Sequence, residues 1–216
     1  MVGSQPMAAG ASTKLNLGCA TRVVDGWTNV DYAPGAWLAK VPGFPALNRR
    51  LRLLATDWDP RIVLQDLRKP LGWPDASVDV VYTSHTLEHL SHDDGRALLA
   101  ECARVLRPGG VLRVVVPSFA SVASDYATGA LPADRVLEAM NVVHRRPRLR
   151  EFLSLRTGVP HLCMYDDASL VRALQDNGFD ARVRAPFDSD IADIADIELA
   201  ERTVGAAIVE GRRAVA

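Results

Sequence analysis

The stretch that most constrains this chain is Lys14 to Asp31, KLNLGCATRVVDGWTNVD. A short apolar strand runs into a glycine turn, and a second short strand ends in a carboxylate. Gly18 lets the backbone pass close to a ligand, because it has no Cβ to obstruct the approach. Asp31, at the end of the next strand, is placed to accept hydrogen bonds from both hydroxyls of a ribose. The pair outlines a shelf for a nucleoside.

The spacing narrows the choice of nucleoside. Asp31 follows Gly18 by 13 positions, short of the ~20 usual in nicotinamide dinucleotide sites. The first crossover must then be a very short helix or a loop. Gly18-Cys19-Ala20 also lacks the full G-x-G-x-x-G pattern.

Further along, strand and helix patterns alternate, which predicts a mostly parallel sheet flanked by helices. Strands are predicted at 14–17, 28–30, 62–64, 78–82, 111–116, 181–185 and 206–209. The 111–116 segment is almost continuously apolar, as a strand buried on both faces should be. Ser91 with Asp94 resembles a capping box. Leu98, Leu99, Cys102, Val105 and Leu106 then form one helical stripe, and Pro108-Gly109-Gly110 end it. Other helices are expected at 167–177 and 45–54. The fold class expected is α/β, a Rossmann-like seven-stranded mostly parallel sheet.

At 216 residues the chain suits one domain over 14–216, behind a disordered leader at 1–13. Residues 118–160 are too long for a simple connection. Val136, Leu137, Met140 and Val143 recur there at helical spacing. The segment reads as a helical insertion over the carboxyl edge of the sheet, where open α/β sheets bind ligands.

A net charge of −1 argues against binding nucleic acid by bulk electrostatics. No apolar run approaches the ~18 residues of a membrane span, and the start has no signal-peptide pattern. Three cysteines without a CxxC pair fit a reducing compartment. The expected setting is cytoplasmic. Lysine stands only at 14, 40 and 69, so the many arginines reflect genome composition and their clusters carry reduced weight.

The second half adds Gln65-Asp66-Leu67 after the third strand, VDVVYTSHTLEHL across the fourth, and LRPGGVLRVVVP entering the fifth. With KLNLGC and GWTNVD, these resemble the class I S-adenosylmethionine-dependent methyltransferases, in the branch with LNLGCG, GW-NVD and LEHL signatures (the type-11-like branch). The resemblance runs from about Lys14 to Phe179. It implies that Asn16, Gly18 and Cys19 line the methionine moiety of S-adenosylmethionine and that Asp31 holds the ribose. Asp66 and Leu67 would meet the adenine, and Ser84 and His85 would face the methionine and the acceptor. Ala20 stands where the family often has glycine, and Asn16 where many relatives carry an acid.

Methyl transfer needs alignment of nucleophile, methyl carbon and sulfur more than covalent help. An oxygen acceptor also wants a general base, for which histidine is suited. The candidates are His144 in the insertion, then His161, then His85. The overall look resembles actinobacterial sugar O-methyltransferases, such as those of methylmannose polysaccharide synthesis. That implies a sugar acceptor, with a magnesium ion and a homodimer both compatible. A quinone or natural-product methyltransferase, or a non-catalytic cofactor-binding partner subunit, are the alternatives.

His85-Thr86-Leu87-Glu88-His89 also fits the H-x-x-E-H of inverted zinc peptidases. A strand end followed by a helix start does not preform a two-histidine helical face, so no metal ligand is assigned. Glu88 and His89 are expected to brace the helix start by hydrogen bonding. Arg145, Arg146, Arg148, Arg150 and Arg156 read as a solvated face, with substrate-anion capture as the functional alternative. Asp188, Asp190, Asp193 and Asp196 are expected to flank a loop and a helix. Trp27, Trp37, Trp58 and Trp73 are expected to pack in the core.

Overall fold

In the computed structural model, residues 12–54, 56–142 and 160–215 are described. Seven strands form one sheet: β1 Lys14–Leu17, β2 Thr28–Asp31, β3 Val63–Leu64, β4 Val78–Ser84, β5 Leu106–Pro117, β6 Phe179–Val183 and β7 Ala206–Arg213. Their order is β3-β2-β1-β4-β5-β7-β6. Neighbours from β3 to β5 run parallel. β7 is antiparallel to both β5 and β6. The Rossmann-like, mostly parallel sheet is therefore as the sequence predicts. Order reverses between β1 and β4, and the turns after these two strands meet there, which is where open sheets bind ligands.

Between β1 and β2 there is no helix, as the short spacing requires. Two asparagines hold the loop instead. Asn29 accepts the Val24 amide at 3.1 Å and donates to the Val24 and Trp27 carbonyls, each at 3.0 Å. Asn16 donates to Asn29 Oδ1 at 3.0 Å and to the Arg22 carbonyl. Both side chains are buried, so their polar groups must be paired inside.

The principal core joins Leu15, Leu17 and Val30 of the first strands to Val78 and Val81 of β4 and Leu112, Val114 and Val116 of β5. Leu98, Leu99, Cys102 and Val105 of helix α3, His92–Val105, close it on one face. Leu170 and Leu174 of helix α6, Asp167–Gln175, join the same cluster. Ser91 caps α3 by accepting the Asp94 amide at 3.1 Å and donating to Asp94 Oδ2. No bond from the Asp94 carboxylate to the Ser91 amide completes a box. The reciprocal box lies at α6, between Asp166 and Ser169.

Several boundaries differ from expectation. A short helix α1, Pro34–Ala39, precedes α2, Phe44–Leu51, where only one helix at 45–54 was predicted. Glu88 and His89 do not begin α3. They lie in a single 3-10 turn, Leu87–His89, before it. Within 118–160 the described elements are α4, Phe119–Ala127, a 3-10 turn at Ala133–Arg135, and α5, Val136–Ala139. Among the tryptophans, Trp37 departs from its core assignment. It is 48% exposed and meets Tyr32 edge to face at 5.4 Å.

Residue Arg113, inside the apolar run of β5, is fully buried. Its guanidinium pairs with Glu198 through two bonds of 2.8 and 2.9 Å and reaches Glu210 at 3.3 Å. It also donates to the Asp188 and Ala185 carbonyls. No described helix is long and apolar enough to cross a membrane.

Candidate active site

At the end of β1 the chain turns through Gly18 with φ +71°. The Gly18 and Cys19 amides both donate to the Val30 carbonyl, at 2.9 and 3.0 Å. A Cβ on Gly18 would lie 2.0 Å from Thr86 Oγ1, so glycine is required here both by backbone conformation and by space. Ala20, at the position where the family often has glycine, also has positive φ, +47°. That left-handed conformation costs an alanine about 1–2 kcal/mol. Its amide is held by Asp31 Oδ2 at 2.7 Å.

The Asp31 carboxylate takes a second amide, from Ala33, on Oδ1 at 2.8 Å. Each oxygen keeps a further lone pair for an outside donor. Asp66 stands just past β3, whose Leu64 is in register with Asp31. Its carboxylate is held by Arg68 through Nε and Nη2, each at 2.9 Å. The Arg68 hydrogen bonds, first among the causes, hold the Asp66 carboxyl below the usual carboxylate value.

Beside the glycine turn opens a cleft of about 220 Å³, lined by Asn16, Gly18, Cys19, Ala20, Tyr82 and Ser84, with Ile197, Leu199 and Arg202 on the far wall. Of the expected cofactor residues it therefore gathers Asn16, Gly18, Cys19 and Ser84. Asp31, Asp66, Leu67 and His85 do not line it. Leu67 packs on the core. Asn16 borders the cleft, but its amide nitrogen is spent on the loop. A larger cavity of about 590 Å³ lies under α1 and α2, between Phe44, Trp58 and Arg61. Apart from the loop residues Thr21 and Val23 it is remote from the β1 turn, so the smaller cleft is the one placed for chemistry.

His85 follows β4 with φ +53°. Its amide donates to the Val115 carbonyl at 2.8 Å. Its Nε2 lies 2.9 Å from the Arg202 carbonyl. A carbonyl can only accept, so Nε2 carries the proton and Nδ1 the lone pair. That Nδ1 is 3.5 Å from Glu88 Oε1, and His161 Nε2 is 3.9 Å from the same oxygen. The Glu88 side chain is 1% exposed, yet neither carboxylate oxygen has a hydrogen-bond partner. The bracing expected of Glu88 is thus absent from its carboxylate. Its backbone carbonyl supplies it instead, by accepting the Leu162 and Cys163 amides at 2.8 and 3.1 Å.

Burial dominates the electrostatics of this group. It pushes the Glu88 carboxyl up to about 7 and both imidazoles, His85 and His161, below the usual histidine value. At neutral pH these rings are uncharged. Burial, with Asp31 close by, also pushes the Cys19 thiol up to about 12, so it is an inert wall of the cleft. His144, the first-choice base, lies outside the described residues, as does the run from Arg145 to Arg156. Asp188, Asp190 and Asp193 are spent on Arg184, Arg212, Lys14 and Trp27, in keeping with a loop-flanking role. No sequence pattern marks Ile197, Leu199 or Arg202, which reach the cleft only through the fold. Glu88 was visible in the LEHL segment, although its isolation from partners was not.

Residues 15–114 match the family model described as a methyltransferase domain. A probable S-adenosylmethionine-dependent methyltransferase of Mycolicibacterium smegmatis is 53% identical over 48 residues, covering 22% of this chain and 18% of that protein. A protein of Mycobacterium tuberculosis with the same description is 47% identical over 60 residues, 27% and 21% of the two chains. The chain thus spans about a fifth of the length of the curated relatives it matches. Among solved structures, a methyltransferase from Methanosarcina mazei superposes with TM-score 0.54 at 16% identity, over 95% of this chain and 94% of the other. Magnesium protoporphyrin IX methyltransferase from Synechocystis, with bound S-adenosylhomocysteine, gives 0.50 at 17% identity, over 94% and 75%. The fold is that of the class I methyltransferases. Within it residues 15–114 match a methyltransferase domain, and the cofactor of that class is S-adenosylmethionine.

Proposed function

We propose that the protein is an S-adenosylmethionine-dependent methyltransferase acting on the hydroxyl of a small molecule, a sugar first. The observation that carries this reading is the Gly18 turn. It is stripped of side chain by Thr86, opens on the 220 Å³ cleft, and is tied through Ala20 to Asp31. The cleft is below the ~300 Å³ typical of a whole small-molecule site. It suits the amino-acid end of the cofactor, with the nucleoside on the open shelf of Asp31, Asp66 and Leu67. Bound S-adenosylmethionine supplies an activated methyl group on a sulfonium.

The chain's own work is to hold the acceptor in line and take its proton. His144 is the first candidate base, then His161, then His85, and the 118–160 insertion is proposed to supply acceptor-facing groups. His85 ranks last because its Nε2 is held by the Arg202 carbonyl and its Nδ1 faces Glu88.

The test is S-adenosylhomocysteine formation by the purified protein with a panel of sugars, phenols and quinols. Product with sugars supports the full reading. Product with phenols or quinols alone would replace the acceptor class. Calorimetric binding of S-adenosylhomocysteine with no product from any acceptor would favour a cofactor-binding partner subunit.

A further inference from the structure

We propose that Glu88, His89 and His161 form a binding site for one divalent transition-metal ion of the zinc, iron(II) or cobalt(II) class. One ligand atom from each lies within 4.8 Å of the other two. The second observation is independent of that grouping. Both Glu88 oxygens are buried and unpartnered, and no lysine or arginine of the described residues forms an ion pair with them. A buried carboxylate left in that state is costly, and it calls for a proton or a cation.

The two imidazoles present lone pairs. His89 Nδ1 lies 3.2 Å from the Pro160 carbonyl. That acceptor fixes the proton on Nδ1 and leaves Nε2 basic, which is the outer hydrogen bond that metal-binding histidines commonly make. The His161 side chain lies against Glu88, 10% exposed, and its Nδ1 has no hydrogen-bond partner. The two rings meet edge to face at 5.0 Å. Their segments are locked together where the Leu162 and Cys163 amides bond the Glu88 carbonyl. Ligands on a ~2.1 Å metal–ligand radius stand roughly 3.4 Å apart in a tetrahedron. The present spacing needs closing by about an ångström, within reach of side-chain rotation.

The donor set selects the ion. Magnesium and calcium prefer all-oxygen shells, whereas two imidazoles and one carboxylate suit zinc, iron(II) and their neighbours and leave positions open. The arrangement is not the peptidase pattern of H-x-x-E-H. The first histidine of that pattern, His85, points its Nδ1 at Glu88 and anchors its other nitrogen on Arg202. The ligand from outside the motif is His161, 72 residues beyond His89 along the chain.

The metal-free full-length protein should be titrated with Zn²⁺ by calorimetry, and with Co²⁺ by visible absorption. One equivalent of each is expected. Glu88→Gln and His161→Ala should each weaken Zn²⁺ binding by more than about 100-fold, beyond the roughly 10- to 100-fold typical of losing an outer partner. His92→Ala, beside Asp93 on the surface, should leave it unchanged. Far-UV circular dichroism of each variant establishes that it is folded, and Glu88→Gln keeps the side-chain shape. No Zn²⁺ binding, or stoichiometric binding that survives both variants, overturns the site. Equal binding of Mg²⁺ overturns the assignment of ion class. None of these readouts uses cofactor or acceptor, so failure here leaves the methyltransferase reading standing.

Discussion

Replacing Arg113 with methionine removes a cation shared by two buried acids, Glu198 and Glu210. The guanidinium makes three bonds to carboxylates and two to carbonyls. The losses are unequal. Glu210 keeps Ser189 Oγ, the Asp190 amide and Arg184. Glu198, whose side chain is fully buried, keeps only the Phe187 amide at 2.6 Å. Removing one partner of such a pair costs about 3–5 kcal/mol, because the other charge stays buried. That is a large share of the ~5–15 kcal/mol that stabilises a typical domain. Urea unfolding should show the loss as a lower midpoint at constant slope. The double variant R113M/E198Q, which removes the stranded charge and keeps an acceptor for Phe187, should regain at least about 1 kcal/mol. The effect should also reach the cleft, since Glu198 lies between Ile197 and Leu199 of its wall. A single variant losing under ~1 kcal/mol, or a double variant no more stable than the single, would refute the reasoning.

Asp31→Ala should weaken S-adenosylhomocysteine binding more than about tenfold, by calorimetry; unchanged affinity would remove Asp31 from the site. Ala20→Gly relieves a strained backbone and should raise the thermal midpoint by about 1–3 °C, and an unchanged or lower midpoint would mean the strain is not felt. At pH 8 iodoacetamide should label Cys163 first, followed by mass spectrometry. Cys19 and Cys102, both pushed up to about 12 by burial, should react roughly a thousandfold slower than a free thiol, and rapid labelling of Cys19 would contradict its place in the wall. Arg104, through its hydrogen bonds, holds the Glu101 carboxyl below its ordinary value. The stability Glu101 contributes is therefore present above the unfolded-state value near 4.3 and lost as pH falls through the lower folded value. Glu101→Gln should flatten unfolding curves between about pH 5 and pH 3, and an unaltered profile would remove that linkage.

What could be read from residue order was local. The β1 turn, the Asp31 strand, the stripe of α3 and the stop at Pro108-Gly109-Gly110 are each set by neighbours a few positions apart. What could not be read depends on distant partners. Arg113 sits in a run whose apolar neighbours predict a fully buried strand, and the strand is indeed buried. The arginine is tolerated only because Glu198 and Glu210 arrive from 85 and 97 residues further on. Trp37 looked like core, yet it stands on the outer side of the short α1, half exposed, and meets Tyr32 edge to face. The third wall of the cleft, Ile197 to Arg202, has no periodic signal because its two short helices span one turn each. The β1 turn and the Asp31 strand were thus legible, and the segment facing them was not.

The end of β4 joins these parts into one device. His85 adopts a left-handed backbone that a histidine enters at some cost, and two bonds hold it there, from its amide to Val115 and from its ring to Arg202. The bend aims Thr86 at Gly18, where it fills the space a side chain would have taken. The same bend starts the 3-10 turn that buries Glu88 beneath His85. The strain at His85 therefore sets the floor of the Gly18 turn and the position of the unpaired carboxylate together. A chain that relaxed His85 into strand geometry would lose both, because the residues after it would follow β4 onward instead of crossing under β1.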